Sequence, residues 1–282
     1  MQMIKLNNDL EMPVEGYGVF QVTPEETERC VLDALAVGYR SIDTAAAYMN
    51  EEAVGAAIKK CGIPREELFI TTKLWVQDQG YDSAKQAVES SLEKLGLDYL
   101  DLYLIHQPFG DYYGSWRAME ELYKEGKLRA IGVSNFEADR LVDLILNNEI
   151  TPAVNQIEVH PFHQQQAAKA VMDEYGVRME AWGPLAEAQN DIFNHAVLKE
   201  IAAKHNKSVA QVVLRWHIER DVIIIPKSVR KERMEENLDL YDFSLDQEDM
   251  AKIAALDTGK STIIDHHQVE TVKMLNGLKI HD

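Results

Sequence analysis

The sequence predicts an α/β protein, a (β/α)8 TIM barrel with an N-terminal β-hairpin and extra C-terminal helices. Short apolar runs alternate with helical patterns about eight times over 282 residues, the length that such a barrel needs. No linker rich in Pro, Gly or Ser interrupts them, so we expect a single domain over residues 1–282. An open, doubly wound sheet is the alternative, but its usual G-x-G-x-x-G motif is missing from the first strand–helix turn.

The chain begins with a predicted hairpin of residues 4–6 and 10–12. The first helix is predicted from a local signature. Thr23 would be its N-cap, Pro24 would lie in its first turn, and Glu26 would complete a capping box. Asn50 is the expected N-cap of the second helix.

Strand and helix patterns then alternate to the end of the chain. Strands are indicated by short β-branched or aromatic runs, and helices by apolar positions three or four residues apart. Glycine or proline follows several of the helices and indicates where they end. The predicted strands cover residues 16–20, 39–43, 68–72, 99–105, 129–133, 153–157, 177–181 and 222–225, and the predicted helices cover residues 24–37, 51–61, 83–95, 115–124, 138–146, 164–175, 196–204, 209–220, 231–238 and 247–256.

Composition limits the possible partners and location. The formal net charge of −18 argues against nucleic acid and anionic membranes as partners. Cys30 and Cys61 form no CxxC pattern, so we expect reduced thiols. The N-terminus lacks the apolar core of a signal peptide, and no apolar run is long enough for a membrane span. We therefore expect a cytoplasmic protein.

Polar side chains end three neighbouring predicted strands. Asp43, Lys73 and His106 stand at these ends, and Tyr48 follows the first of them. In a barrel such side chains converge on one face. Each has an ordinary structural interpretation, such as an Asp43–Lys73 ion pair or a histidine satisfied in the core. Four of them at adjacent strand ends favour a catalytic site.

This set of side chains suits proton donation to a carbonyl group. A phenol has a reference pKa of about 10, and an ammonium next to Tyr48 would lower it. Asp43 would hold Lys73 in place, and His106 would donate a hydrogen bond to the carbonyl oxygen. No side chain supplies hydride, so a nicotinamide cofactor would be required.

The whole chain resembles the aldo-keto reductase family. Residues 38–55 (GYRSIDTAAAYMNEEAVG) are similar to its N-terminal signature, and residues 100–106 to its fourth strand. Residues 132–136 and 154–156 resemble its cofactor-side motifs, and residues 225–237 its C-terminal signature. The greatest similarity is to bacterial 2,5-diketo-gluconate reductases and prostaglandin F synthase-like members.

The resemblance implies a catalytic tetrad with Tyr48 as proton donor, and NADP(H) as cofactor. The alternative is an enzyme that uses both NADP(H) and NAD(H). It also implies a Trp182 ring that stacks on the nicotinamide, where the family usually has Tyr. The implied tetrad is Tyr48, Asp43, Lys73 and His106; the implied cofactor-binding residues are Ser134, Asn135, Gln156, Trp182, Pro184, Leu185, Lys227, Ser228, Val229, Arg230, Arg233, Glu236 and Asn237; the implied substrate-binding residues are Phe20, Ala47, Trp75, His106 and Phe109.

Three cations, Lys227, Arg230 and Arg233, interrupt the acidic character of the chain near its last strand. An anionic ribose phosphate would suit these cations. The alternative is that they belong to a solvated helix face, because glutamates alternate with them along the chain. The resemblance implies that Lys227, Ser228, Arg233 and Asn237 grip the 2′-phosphate and adenine. We therefore expect NADP(H) to be preferred. Arg230 replaces a commoner hydroxyl residue.

We expect an NADPH-dependent reductase of aldehydes, ketones or keto-sugars that acts as a monomer. The tail after the last predicted helix is short, which predicts an open, weakly selective cleft. The remaining histidine pairs lack further ligands, so we expect no metal site. Two other classes stay open: a sensor or regulatory module that binds NADP(H) with little turnover, and a metal-dependent barrel hydrolase. The complete tetrad argues against the first.

Overall fold

In the computed structural model, which describes residues 2–281, an N-terminal hairpin precedes eight parallel strands and their surrounding helices. The hairpin strands are β1 (Met3–Lys5) and β2 (Glu11–Pro13). The sheet strands are β3 (Gly16–Gly18), β4 (Ser41–Asp43), β5 (Phe69–Leu74), β6 (Leu102–Ile105), β7 (Ile131–Ser134), β8 (Val154–Glu158), β9 (Arg178–Trp182) and β10 (Ile223–Ile224). The helices are α1 (Pro24–Val37), α2 (Glu51–Lys60), α3 (Tyr81–Leu95), α4 (Tyr112–Lys124), α5 (Ala138–Leu146), α6 (Gln166–Tyr175), α7 (Ala196–His205), α8 (Val209–Ile218), α9 (Lys231–Leu238), α10 (Gln247–Ala254) and α11 (Val269–Gly277).

The parallel strands follow one another around the sheet in chain order, from β3 to β10. The first and last strands also meet. Glu15 forms a parallel bridge with Ile224, and the Gly18 amide donates to the Pro226 carbonyl at 3.4 Å. A Cβ atom on Gly18 would lie 2.8 Å from the Ile225 carbonyl oxygen, so this close approach needs glycine. The sheet therefore closes, and the predicted (β/α)8 barrel is confirmed.

Alternation along the strands separates the barrel interior from the layer beneath the helices. On β5, for example, Ile70 packs in the outer core with the helices, whereas Phe69 belongs to an inner apolar cluster. We call this inner cluster the floor, because the hairpin covers it at the N-terminal end of the strands. The floor consists of Leu6, Met12, Phe69, Leu102, Leu104, Ala130, Ala153, Val154 and Ile223.

Two predicted helix caps are wrong. The Thr23 side chain makes no capping hydrogen bond, and Glu26 completes no capping box with it. Asn50 precedes α2, but its side chain does not cap that helix. Its Oδ1 accepts from Thr44 Oγ1 at 2.7 Å, and its Nδ2 donates to the Val19 carbonyl at 3.1 Å. For Asn50, bonds to Thr44 and Val19 in the buried strand–helix loops therefore replace the capping bond that the sequence suggested.

The C-terminal tail differs from the expectation. It forms α11, and Leu275 of that helix is buried against Trp75 and Phe109. The Trp75 Nε1 donates to the Leu278 carbonyl at 2.7 Å. The expectation of an open cleft is therefore corrected, because these contacts hold the tail across the rim of the barrel. None of the helices described in residues 2–281 has the length and hydropathy that a bilayer span requires.

Candidate active site

The C-terminal ends of neighbouring strands deliver four polar side chains to one place. Asp43 is the last residue of β4, Lys73 lies one residue before the end of β5, and His106 follows β6 directly. Tyr48 lies in a short 3₁₀ turn, Ala46–Tyr48, after β4. Because parallel strands of a barrel end at the same face, the fold gathers these four side chains.

Lys73 is the centre of this group, and its side chain has no exposed surface. Its Nζ donates to Asp43 Oδ1 at 2.5 Å, to the Thr44 carbonyl at 2.9 Å and to the Tyr48 hydroxyl at 3.4 Å. Burial, the largest single effect, acts to lower the pKa of Lys73. The charge and hydrogen bond of Asp43, together with Tyr48 and Glu180, outweigh burial, so the pKa is raised. Lys73 is therefore a fixed cation beside the phenol.

The acidity of Tyr48 reflects opposing effects. Burial raises its pKa, the nearby Lys73 cation lowers it, and Asp43 raises it; the net pKa lies above the ordinary value for a phenol. Lys73 thus acts in the direction expected from the sequence, but it does not overcome burial. At neutral pH the Tyr48 hydroxyl keeps its proton and is able to donate it.

His106 is a neutral imidazole. Burial and, next, the charge of Lys73 hold its pKa well below the usual range. Its ring lies edge-on to Tyr48, with ring centroids 5.6 Å apart, and edge-on to Trp75 at 5.2 Å. A neutral ring at this position can donate a hydrogen bond without adding a second positive charge next to Lys73.

A second group of polar side chains lines the cleft next to this one. Trp182 Nε1 donates to Asn135 Oδ1 at 2.8 Å, and Asn135 Nδ2 donates to the His106 carbonyl at 3.0 Å. Ser134 Oγ donates to the Gln156 carbonyl at 2.8 Å. These bonds fix the orientations of the side chains that the resemblance assigns to a carboxamide and a nicotinamide ring.

The cleft encloses about 930 Å³ and runs from the tetrad to the start of α9. This volume is at the upper end of the range for cofactor sites. Lys227, Ser228, Arg233, Glu236 and Asn237 line its far end. In the described part of the chain neither Lys227 nor Arg233 forms an ion pair, so both cations are available to an anionic group. The donors and cations therefore fit a phosphorylated dinucleotide.

Most of the residues expected from the sequence line this one cleft, including Phe20, Ala47, Trp75, Pro184 and Leu185. Four others do not. Lys73 lies beneath the surface of the cleft, and Phe109 packs against Trp75 and the tail. Val229 packs against the outer core. The Arg230 amide donates to Ser228 Oγ at 3.1 Å, and the residue precedes α9 as its N-cap.

Sequence reasoning missed Glu180, which lies inside the barrel. Gln156 Nε2 donates to Glu180 Oε2 at 2.9 Å and to Asp43 Oδ2 at 2.9 Å. Burial and, next, the Asp43 carboxylate raise the pKa of Glu180 to about 8. The signal was its position two residues before Trp182 on β9, which places both on the same face of the strand.

The tail adds side chains that sequence reasoning also missed. His266, Leu275 and Leu278 line the cleft. His266 stacks on Phe109, with ring centroids 6.4 Å apart.

No group of three or more His, Cys, Asp or Glu side chains in residues 2–281 is arranged to hold a metal ion. His160, one of the histidines considered in the sequence, instead has its Nε2 3.0 Å from Glu158 Oε1.

A closed parallel barrel with a lysine–carboxylate pair, a phenol and a neutral imidazole at the mouth of a dinucleotide-sized cleft defines a barrel oxidoreductase. The aldo/keto reductase family matches residues 16–258, and the chain belongs to that family.

Curated relatives and solved structures agree with this membership. The chain is 53% identical to glyoxal reductase of Bacillus subtilis over 90% of this chain and 92% of that protein. It is 46% identical to methylglyoxal reductase DkgA of Escherichia coli strain K12 over 92% and 94%, respectively. A crystal structure of an aldo/keto reductase from Brucella melitensis superposes with a TM-score of 0.88 at 46% identity, covering 91% of this chain and 99% of that one. An aldo-keto reductase of Bombyx mori in complex with NADP gives a TM-score of 0.89 at 36% identity, with 96% of each chain covered.

Proposed function

We propose that the protein is an NADP(H)-dependent reductase of small aldehydes and ketones, with 2-oxoaldehydes such as glyoxal and methylglyoxal as the first substrates to test. The observation that carries the proposal is the Tyr48 hydroxyl, 3.4 Å from the buried Lys73 ammonium and on the wall of the cleft. The names of the glyoxal and methylglyoxal reductases to which the chain is similar support the substrate class, and the NADP complex of the Bombyx mori relative supports the cofactor.

Tyr48 is the proton donor in this proposal. When bound, NADPH would supply the hydride that the carbonyl carbon accepts. Tyr48 gives its proton to the carbonyl oxygen as negative charge develops there, and it is later reprotonated from solvent. The Lys73 ammonium stabilises the phenolate that this transfer leaves, and Asp43 keeps Lys73 charged and in position. Neutral His106 donates a hydrogen bond to the same oxygen and orients it.

The remaining polar side chains of the cleft hold the cofactor. Ser134, Asn135 and Gln156 would bind the carboxamide, and the Trp182 ring would pack against the nicotinamide. Lys227 and Arg233 bind the 2′-phosphate, which is the basis for a preference for NADPH over NADH. The further cleft-lining residues Pro184, Leu185, Ser228, Glu236 and Asn237 complete the binding surface.

The substrate end of the cleft is lined mainly by apolar side chains. Phe20, Ala47 and Trp75 line it beside His106, and the tail limits its size from above. Apolar walls around a single proton donor suit short aldehydes and ketones.

The test is the oxidation of NADPH, followed by absorbance, on addition of methylglyoxal. Tyr48→Phe removes only the hydroxyl, so we expect kcat to fall about a thousandfold while the Kd for NADPH changes less than about twofold. Tyr81→Phe is the control, because Tyr81 lies at the start of α3 and does not line the cleft. A Tyr48→Phe enzyme with the wild-type rate would refute the proton-donor role. NADPH binding with no turnover of any carbonyl by the wild type would indicate a binding module instead.

A further inference from the structure

Glu180 is a buried carboxyl group that the proposed chemistry does not use. It lies in the middle of β9 and has no exposed surface. Its Oε2 accepts from Gln156 at 2.9 Å, whereas its Oε1 has no hydrogen-bond partner among the described residues. Ionising a carboxyl group in such surroundings is costly. Burial and the Asp43 carboxylate raise the pKa of Glu180 to about 8, so it carries a proton at neutral pH.

The Gln156 side-chain amide lies between two carboxyl groups. Its Nε2 donates to Asp43 Oδ2 and to Glu180 Oε2, both at 2.9 Å, and these bonds use both of its hydrogens. The reversed amide would set its oxygen against the Asp43 carboxylate, so this network fixes the orientation. Gln156 Oε1 has no hydrogen-bond partner within residues 2–281, and Gln156 lines the cleft, where this oxygen suits the NH₂ group of a carboxamide.

We propose that Glu180 is a positioning residue whose proton sets the alkaline limit of turnover. The proposal rests on the proposed function. With its proton, Glu180 helps to orient Gln156 and adds no charge to the site. Without it, a second negative charge appears beside Asp43, and Tyr48 becomes a weaker acid.

The charged groups that act on Glu180 fit this assignment. The Asp43 carboxylate on β4 opposes its ionisation, and the Lys73 cation on β5 favours it more weakly. An ionised Glu180 in turn raises the pKa of Tyr48, which slows proton donation. On the neighbouring strands, β8 contributes Gln156, and both residues of β10 are isoleucine.

The experiment is the pH profile of kcat for NADPH-dependent reduction in wild type and in Glu180→Gln. Glutamine has the shape of the neutral acid and cannot ionise. We expect the wild-type rate to decline above pH 8 and the decline in Glu180→Gln to move about one pH unit higher. An unchanged profile would overturn the proposal.

Glu15→Gln is the matched control. Glu15 is also buried, and burial raises its pKa to about 7, but it accepts from Tyr241 and does not line the cleft. The pH profile of Glu15→Gln should equal that of the wild type. A shifted profile in this variant would overturn the assignment to Glu180.

A cofactor-free measurement covers the case in which Glu180→Gln does not fold. Infrared spectra of Glu15→Gln should show a protonated carboxyl band that disappears with a midpoint near pH 8, and Glu180→Gln, if folded, should lack it. Absence of such a band in Glu15→Gln would overturn the proposal. A titrating band in a wild type that oxidises no NADPH with any carbonyl would instead refute the proposed function and leave the proton assigned to Glu180.

Discussion

The two ends of the barrel interior are built from the same strands but from opposite kinds of side chain. The floor at the N-terminal end contains only apolar residues, and the hairpin covers it. At the other end, the mouth contains the buried polar groups Asp43, Lys73, Gln156 and Glu180 together with His106. The floor therefore contributes stability through burial, whereas the mouth requires matched partners for every charge.

This difference predicts whether a substitution affects stability alone or both stability and catalysis. In the floor, a truncated side chain leaves a cavity and reduces the free energy of unfolding, but it leaves the geometry of the site unchanged. In the mouth, removal of one charged group leaves its partner buried and alone. Such a change affects both stability and chemistry, and a second change can separate the two effects.

Lys73→Met should have the largest effect. It removes the cation beside Tyr48, so we expect kcat to fall about a thousandfold. It also leaves Asp43 buried without its partner, which should reduce the free energy of unfolding by about 3–5 kcal/mol. The double variant Lys73→Met/Asp43→Asn should regain most of this stability in urea denaturation without regaining activity. Recovery of activity in the double variant would contradict the role given to Lys73.

Met12→Ala tests the floor. Met12 has no exposed surface, so we expect a loss of about 2–5 kcal/mol in urea denaturation. Because the tetrad lies at the other end of the barrel, kcat should stay near the wild-type value at temperatures where the variant is folded. Met3→Ala is the control, since Met3 is 44% exposed in the same hairpin and should change stability by less than about 0.5 kcal/mol. A lower kcat in folded Met12→Ala would show that the two ends are coupled.

Arg233→Ala tests the rim of the mouth, where the side chain is exposed and the effect should be smallest. We expect the Kd for NADPH to rise about tenfold and the Kd for NADH to stay unchanged, because only NADPH carries the 2′-phosphate. Fluorescence titration with both cofactors measures this, with Lys231→Ala as the control on the same helix. Equal affinities of the wild type for NADPH and NADH would contradict the preference.

The barrel could be predicted because its signals are local and repeat along the chain. Alternating strand and helix patterns located each sheet strand to within a few residues; residues 153–157, for instance, correspond to β8 (Val154–Glu158). Polar residues at strand ends also indicated where Asp43, Lys73 and His106 would meet, since parallel strands end at one face. Their roles in catalysis stay predictions.

The features that sequence reasoning missed depend on long-range contacts. Glu180 stands between two apolar residues, Met179 and Ala181, on β9. Its register beside Gln156 on β8 brings it to the amide that also donates to Asp43. The helix α11 forms where Leu275 reaches Trp75, about two hundred residues earlier in the chain. The Thr23 capping box had the right residue types, but local propensity did not decide the geometry there.

The tail that crosses the rim has a practical consequence for handling the protein. His281 Nε2 lies 2.8 Å from Asp78 Oδ1, and the Ile280 amide donates to Gln77 at 2.9 Å. The last described residues are therefore attached to the turn that follows Trp75, a residue of the cleft wall. Met3 begins the hairpin that covers the floor, at the far end of the cylinder. A purification tag or surface linker fused on the N-terminal side of Met3 would therefore lie away from the active-site cleft, whereas one fused after His281 would lie close to the entrance of the cleft.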